Sequence, residues 1–225
     1  MINKTIVCLA NSRKLHGRCI AGQEIIDGSP GAWIRPVSNR QSQEVSENER
    51  QYQDGSDPKV LDIIDIPLIN HSPGEHQPEN WLLDPLVYWS KVDKFSWGDL
   101  ELFSESEGAL WRNEFHTYNG INDKIPLDEA KKETSSLKLI HVDDMNLKVF
   151  APGEAFGNSK RRVQGQFHFS GTEYALWVTD PDIERSYLAR TDGDYKLNEC
   201  YLTISLGEPY DGYCYKLVAA IIQRP

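Results

Sequence analysis

Short runs of β-branched and other apolar residues, each ended by Gly, Pro, Asn or Asp, recur along almost the whole chain. Runs of this length and composition are typical of strands in small all-β domains. The pattern predicts about five strands in the first hundred residues and about six after residue 136. The clearest runs of the second group are residues 137–142, 147–150, 160–169 and 174–179. The chain is therefore predicted to be mainly β.

The two groups of strands are separated by a stretch of different character. It contains the turn signal Asn119-Gly120 and a segment from Pro126 in which proline and acidic residues precede lysines, as at the start of a short helix. Five or six short strands on each side favour two tandem OB-like β-barrels, because closure removes exposed sheet edges. A single mixed β-sandwich is the alternative. We expect a first domain at 1–105, a short helical connector at 106–136 and a second domain at 137–225.

Charge is distributed unevenly along the chain. The net formal charge is −10, yet residues 1–40 carry six basic and two acidic residues, whereas residues 41–110 carry fifteen acidic and four basic ones. A locally basic segment can hold an anionic ligand although the whole chain is acidic. The overall acidity argues against strong, sequence-independent binding of nucleic acid, because that mode depends on many phosphate contacts.

The basic residues of the first domain lie near the ends of two predicted strands. Arg13, Lys14 and Arg18 form a polar run that suggests the mouth of a basic hairpin, and a second strand-like segment carries Arg35 beside Trp33. OB barrels hold single-stranded nucleic acid with cationic side chains along its backbone and aromatic rings under its bases. We therefore expect these residues to bind nucleic acid, with a core position as the alternative for Trp33.

The run at residues 160–169 alternates with a period of two. One set of alternate positions is mostly apolar and the other is polar, which predicts a strand with one packed face and one hydrogen-bonding face. A solvated loop is an equal alternative for residues 160–162. Asp180 and Pro181, followed by acidic residues, predict one helix interposed in the second barrel. The second candidate set for binding nucleic acid is Lys160, Arg161, Arg162, Gln164, Gln166 and His168.

The composition is that of a globular protein, with 39% hydrophobic and 26% charged residues. No apolar run approaches the roughly 20 residues of a membrane-spanning helix, and the N-terminus lacks the apolar region of a signal peptide. We therefore expect a cytoplasmic protein with no membrane partner. Its four cysteines lie far apart and form no CxxC pair, which favours buried free thiols over disulfides or a metal.

Several segments resemble a known family. They are Ile6-Val-Cys-Leu-Ala-Asn-Ser-Arg-Lys with Gly17-Arg-Cys-Ile-Ala-Gly, Trp33-Ile-Arg-Pro-Val, Val178-Thr-Asp-Pro-Asp-Ile-Glu, and Ser205-Leu-Gly-Glu-Pro-Tyr with Gly212-Tyr-Cys-Tyr-Lys-Leu-Val-Ala-Ala-Ile-Ile. In these segments the chain resembles bacterial dual OB domain-containing proteins over nearly its whole length. The resemblance implies two tandem OB-like barrels, binding of nucleic acid or nucleotides, and an association with prokaryotic conflict or antiviral systems. It supplies no catalytic residues.

Motifs of common enzymes do not occur in the sequence: there is no P-loop, GxGxxG, HExxH, GxSxG or paired CxxC. Four sets of residues suggest metal or acid–base chemistry, but each has a simpler explanation. The first set lies in a predicted loop, the second in a turn and the third at the start of a helix, and the fourth fits an anion site. These sets are His71 with His76, Asp143 with Asp144, Asp180 with Asp182 and Glu184, and His16 with Cys19. We expect no cofactor, no bound metal and no catalytic residue.

These observations predict a non-catalytic module whose partner is single-stranded nucleic acid or a nucleotide. Two alternatives stay open. The first is a protein-interaction adaptor that works through the acidic segment 44–107, and it would bind no oligonucleotide even at low salt. The second is an unfamiliar enzyme acting on nucleic acid or nucleotides, and it would gather distant acidic residues in a pocket.

Overall fold

The structure is a computed structural model that describes residues 2–225. The chain is mainly β and consists of two compact units, which confirms the predicted fold class of two tandem OB-like domains. The first unit runs through Phe103 and includes Thr134–Ser136, and the second contains Ser104–Glu133 and Leu137–Pro225. No helix among the described residues is long and apolar enough to span a membrane.

Among the described residues, the first unit contains six strands, one short α-helix and one 3-10 helix. The strands are β1 (Ile2–Lys14), β2 (Gly17–Ile26), β3 (Ser29–Val37), β4 (Asp62–His71), β5 (Asn80–Leu83) and β6 (Ser90–Lys94); the helices are α1 (Glu47–Arg50) and the 3-10 helix Trp97–Phe103.

Pairing between the first five strands closes a ring. β1 pairs antiparallel with β2 and β2 with β3, while β3 pairs in parallel with β5. β4 then pairs antiparallel with both β5 and β1. This cyclic order suits a five-stranded OB barrel, and β6 extends it along β4. Apolar side chains fill the interior: Ile6, Cys8, Ile20, Ile34, Ile64, Ile66 and Leu68.

The ring closes because β1 bends. Its register against β2 shifts between Cys8 and Ala10, as at a β-bulge. At the neighbouring position of β2, a Cβ atom on Gly22 would lie 2.0 Å from the carbonyl oxygen of Val7, so a side chain has no room there. Glycine therefore permits the close backbone approach through which β1 pairs with two partners.

The second unit contains eight strands, two α-helices and one 3-10 helix. The strands are β7 (Lys124–Pro126), β8 (Leu137–Val142), β9 (Met145–Phe150), β10 (Arg162–Phe169), β11 (Thr172–Val178), β12 (Gly193–Leu197), β13 (Cys200–Leu206) and β14 (Tyr213–Gln223); the helices are α2 (Leu127–Ala130), α3 (Pro181–Leu188) and the 3-10 helix Glu154–Phe156.

The strand order in this sheet is β12-β9-β10-β11-β14-β13-β8, with β7 paired to β14. β11 and β14 run parallel, as β3 and β5 do in the first unit. Helix α3 lies between β11 and β12, where the sequence predicts it. The carboxylate of Asp180 caps α3 by accepting hydrogen bonds from the backbone N–H groups of Asp182 and Ile183.

The alternation of β10 separates core from surface. Val163 and Phe167 point inward, where they pack with Leu147 of β9 and Leu176 of β11. The intervening side chains therefore lie on the outer face of the sheet.

A buried lysine lies beneath the loop that precedes β7. Lys216 is 1% exposed, and its Nζ donates hydrogen bonds to the Arg112 carbonyl oxygen and to Asn113 Oδ1, at 2.9 and 3.0 Å. Burial lowers the pKa of Lys216 to about 7, and the nearby charge of Asp123 offsets only part of that effect. The folded state thus holds this amine largely neutral above neutral pH.

We expect Lys216 to contribute an increase of about 1 kcal/mol to the free energy of unfolding between pH 7.5 and 8.5. In this window the unfolded chain binds the proton of Lys216 and the folded chain has released it, so raising the pH favours folding. Urea unfolding of the wild type and of Lys216→Met across this window would measure the contribution as the difference between their pH slopes. Equal pH slopes for the two proteins would contradict the assignment to Lys216.

Candidate nucleic-acid interface

The outer face of β9, β10 and β11 brings four of the predicted binding residues into one row. Arg162, Gln164, Gln166 and His168 succeed one another along β10, with their side chains on this face. The strand register places side chains from β9 and β11 beside them: Phe150 opposite Arg162, Lys148 and Trp177 opposite Gln164, Asn146 and Ala175 opposite Gln166, and Glu173 opposite His168.

One end of this face is aromatic and cationic. The rings of Phe150 and Trp177 stack, with centroids 5.7 Å apart and planes inclined by 29°. The guanidinium carbon of Arg162 lies 3.9 Å from the centre of the Trp177 ring, and Lys148 Nζ lies 5.1 Å from that of Phe150. Half-buried aromatic rings with cations beside them are suited to stacking bases and neutralising phosphates. We call these four residues the aromatic end.

The middle of the face is a chain of hydrogen-bonded amides. Gln164 Nε2 donates to the carbonyl oxygen of Asn119 at 2.6 Å, and Gln166 Nε2 donates to Gln164 Oε1 at 3.2 Å. Asn146 Nδ2 donates to Gln166 Oε1 at 3.0 Å and to the carboxylate of Asp194 at 2.7 Å. Both terminal groups only accept hydrogen bonds, so they fix which way every amide points.

The far end of the face is a polar groove of about 410 Å³. Its wall includes Gln166, His168 and Glu173, and an ion pair at 2.8 Å joins Lys196 to Asp144. Hydrogen-bond donors and acceptors both line this groove, unlike the aromatic end. We call it the polar groove.

The remaining predicted residues of the second unit lie in the loop between β9 and β10 and at its end. Lys160 is exposed, as is Phe156 in the same loop. Arg161 is occupied by its own chain: it donates to the carboxylate of Asp192 and to the carbonyl oxygens of Leu188 and Arg190. Its guanidinium therefore satisfies the carbonyl group of the last residue of α3 and one just beyond the helix, a common use of arginine at a helix end.

Three predicted residues of the first unit gather at the tip of the β1–β2 hairpin. Arg13 lies directly opposite Arg18, and Lys14 lies opposite Gly17. The adjacent segment brings an acid to this tip, since Lys14 is close enough to Glu44 to act on it electrostatically. The tip therefore combines three cations with a nearby carboxylate.

The structure buries Arg35 in the first unit and leaves Trp33 half-buried. Arg35 is 1% exposed, and its Nη2 lies 3.0 Å from Glu79 Oε1 and donates to Ser136 Oγ at 2.8 Å. Trp33 is half-buried opposite Gln23, whose amide donates to the Phe103 carbonyl oxygen at 2.9 Å. The 3-10 helix that ends at Phe103 thus covers the outer face of β2 and β3, and Glu79 neutralises Arg35.

The residues proposed for other chemistry form no metal site. No group of three or more His, Cys, Asp or Glu side chains that could hold a metal occurs within residues 2–225. His71 Nε2 lies 2.7 Å from the carbonyl oxygen of Pro78, and His76 is buried in the same loop. The four cysteines are free thiols, and burial raises the pKa of Cys8 and Cys200 to about 12, so these two thiols stay protonated.

Sequence reasoning missed Phe150, Trp177 and Lys148. Each lies in a predicted strand next to apolar neighbours, so nothing local separates it from the core. Their position becomes visible once β9 and β11 are aligned with β10, because directly opposed residues share a face.

The comparison with known proteins is consistent with the closed ring of strands in the first unit and with the strand pairing in the second unit. No curated protein and no solved structure matches the chain. A family model, described as the Dual OB-containing domain, matches residues 4–221. The chain therefore belongs to the Dual OB-containing domain family.

Proposed function

We propose that the chain is a non-catalytic module that binds single-stranded nucleic acid on the outer face of β9, β10 and β11, with a nucleotide as its smallest ligand. The observation that carries this proposal is the aromatic end, where Phe150 and Trp177 stack with Arg162 and Lys148 beside them. A base on such a surface gains about 1–3 kcal/mol from stacking, and the cations meet the adjacent phosphates. Family membership supports nucleic-acid binding at this general level.

The other predicted residues take different parts in this proposal. Lys160 and the hairpin tip of Arg13, Lys14 and Arg18 supply additional phosphate contacts. Arg35 and Arg161 are left out, because their guanidinium groups already bind their own chain. The resemblance to bacterial dual OB proteins supports a place in a prokaryotic antiviral or conflict system, in the cytoplasm.

The test is fluorescence anisotropy with labelled single-stranded DNA, single-stranded RNA and duplex at about 50 and 200 mM salt. We expect both single strands to bind, more weakly at high salt. Each lost phosphate contact should reduce the slope of log affinity against log salt by about 0.7. Lys148→Gln/Arg162→Gln should therefore lower both the affinity and the slope, and Arg13→Gln/Arg18→Gln would measure the part played by the hairpin tip.

The control is Lys131→Gln/Lys132→Gln, which removes two exposed cations beside α2, away from the outer face. It should bind like the wild type. Absence of binding to every strand at the lower salt concentration would overturn the proposed function.

The adaptor alternative keeps one observation in its favour. Leu86, Tyr88 and Val92 expose apolar side chains within the acidic segment 44–107, and Leu86 is 91% exposed. Exposed apolar groups in a charged surround are typical of protein interaction sites. If no oligonucleotide binds, a pull-down with wild type and Leu86→Ser/Val92→Ser would test the adaptor function.

A further inference from the structure

The polar groove differs from the aromatic end in charge, although both lie on one face. Asp144 and Glu173 bring two carboxylates to the groove and Lys196 brings one ammonium. Two acids against one fixed base disfavour a phosphate there. A neutral ligand with N–H donors suits such a wall better, and a nucleobase is the part of a single strand that fits this description.

The groups lining the groove have a fixed hydrogen-bonding polarity. Both N–H groups of Asn146 are used by Gln166 and Asp194, so Asn146 can offer only its Oδ1 acceptor to the groove. Gln166 uses one N–H for Gln164 and keeps the other as a donor. The carboxylate of Glu173 has no hydrogen bond or ion pair within residues 2–225, and it lies opposite His168 in the strand register.

We propose that the polar groove selects guanine from the bases of a bound single strand, an inference that rests on the proposed function. A carboxylate only accepts hydrogen bonds, and its two oxygens match two parallel N–H donors. Guanine offers such a pair, N1–H and N2–H, on its Watson–Crick edge. The remaining N–H of Gln166, or the ring of His168, then donates to guanine O6.

The other bases fit this wall less well. On their Watson–Crick edges, adenine and cytosine each carry one amino donor beside a ring nitrogen that accepts hydrogen bonds. That nitrogen would face the second carboxylate oxygen, and the two acceptors would repel each other. Thymine and uracil present a single N–H between two carbonyl oxygens. Glu173 therefore distinguishes guanine from the other bases, because only guanine offers an N–H donor to each of the two carboxylate oxygens.

The experiment compares labelled oligothymidines of about 16 nucleotides that differ in one central base. The central nucleotide is deoxyguanosine, deoxyinosine, 7-deazadeoxyguanosine or thymidine. Inosine lacks the N2 amino group alone, so we expect the guanine oligonucleotide to bind about tenfold more tightly than the inosine one. The 7-deaza probe keeps the Watson–Crick edge and should bind like guanine.

Glu173→Gln should abolish the difference in affinity between the guanine and the inosine oligonucleotide. Glu208→Gln removes an exposed carboxylate from the loop between β13 and β14 and should keep the full difference. Equal binding of the four probes by the wild type would overturn guanine selection while the proposed function stands. Failure of plain oligothymidine and every other strand to bind at low salt would instead overturn the proposed function itself.

Discussion

Replacing Arg35 by alanine is expected to lower the free energy of unfolding of the first unit by about 3–5 kcal/mol. The change leaves the carboxylate of Glu79 buried without its guanidinium partner, and it removes the donor to Ser136 Oγ. An uncompensated buried charge is among the most destabilising results of a single substitution. Urea unfolding followed by tryptophan fluorescence would measure the loss.

Two further variants distinguish the effect of the buried charges on stability from the effect of the side-chain volume. Arg35→Met/Glu79→Leu removes both charges and should recover part of the stability, although the buried Ser136 then loses its acceptor on Glu79. Arg13→Ala, on the hairpin tip, should change stability by no more than about 0.5 kcal/mol. If Arg35→Ala were as stable as the wild type and lost only oligonucleotide binding, Arg35 would be a ligand-binding residue and the structural assignment would fail.

The second large effect concerns binding. Phe150→Ala/Trp177→Ala should reduce the affinity for single-stranded DNA by at least about 30-fold, since each stacked base contributes about 1–3 kcal/mol. Anisotropy would measure the affinity, and circular dichroism would check that the variant is folded. Trp177→Phe preserves an aromatic surface and should keep most of the binding.

Tyr210→Ala is the matched control for this double variant. It removes another exposed aromatic ring of the second unit, in the loop between β13 and β14, and should bind like the wild type. Loss of affinity in the control as large as that in Phe150→Ala/Trp177→Ala, with both proteins folded, would remove the aromatic end from the proposed interface.

Local patterns in the sequence are sufficient to predict most of the strands and the polar row of β10. Two-residue alternation depends on the geometry of a single strand, so Gln166 and His168 can be placed on one face without a structure. The helix at Pro181 is equally local, because its cap and first turn are consecutive in sequence.

Contacts between distant residues decide the rest. Arg35 and Arg162 both lie in strand-like segments near aromatic residues, and the sequence around them predicts the same role. Arg35 meets Glu79, whereas Arg162 lies over the ring of Trp177 on an accessible face. Strand pairing determines both outcomes, and a local pattern contains no information about it.

Under the proposed function, the 3-10 helix that covers β2 and β3 limits the number of stacking faces that one chain offers. With Gln23 bonded to the Phe103 carbonyl oxygen, the outer face of β2 and β3 is occupied by the chain's own 3-10 helix, whereas the face of β9, β10 and β11 is the one proposed for stacking. A tandem protein with two open faces would gain avidity on a long strand. With one stacking face, each copy of such a module would occupy a single stretch, so a longer strand would recruit more copies without holding any of them more tightly.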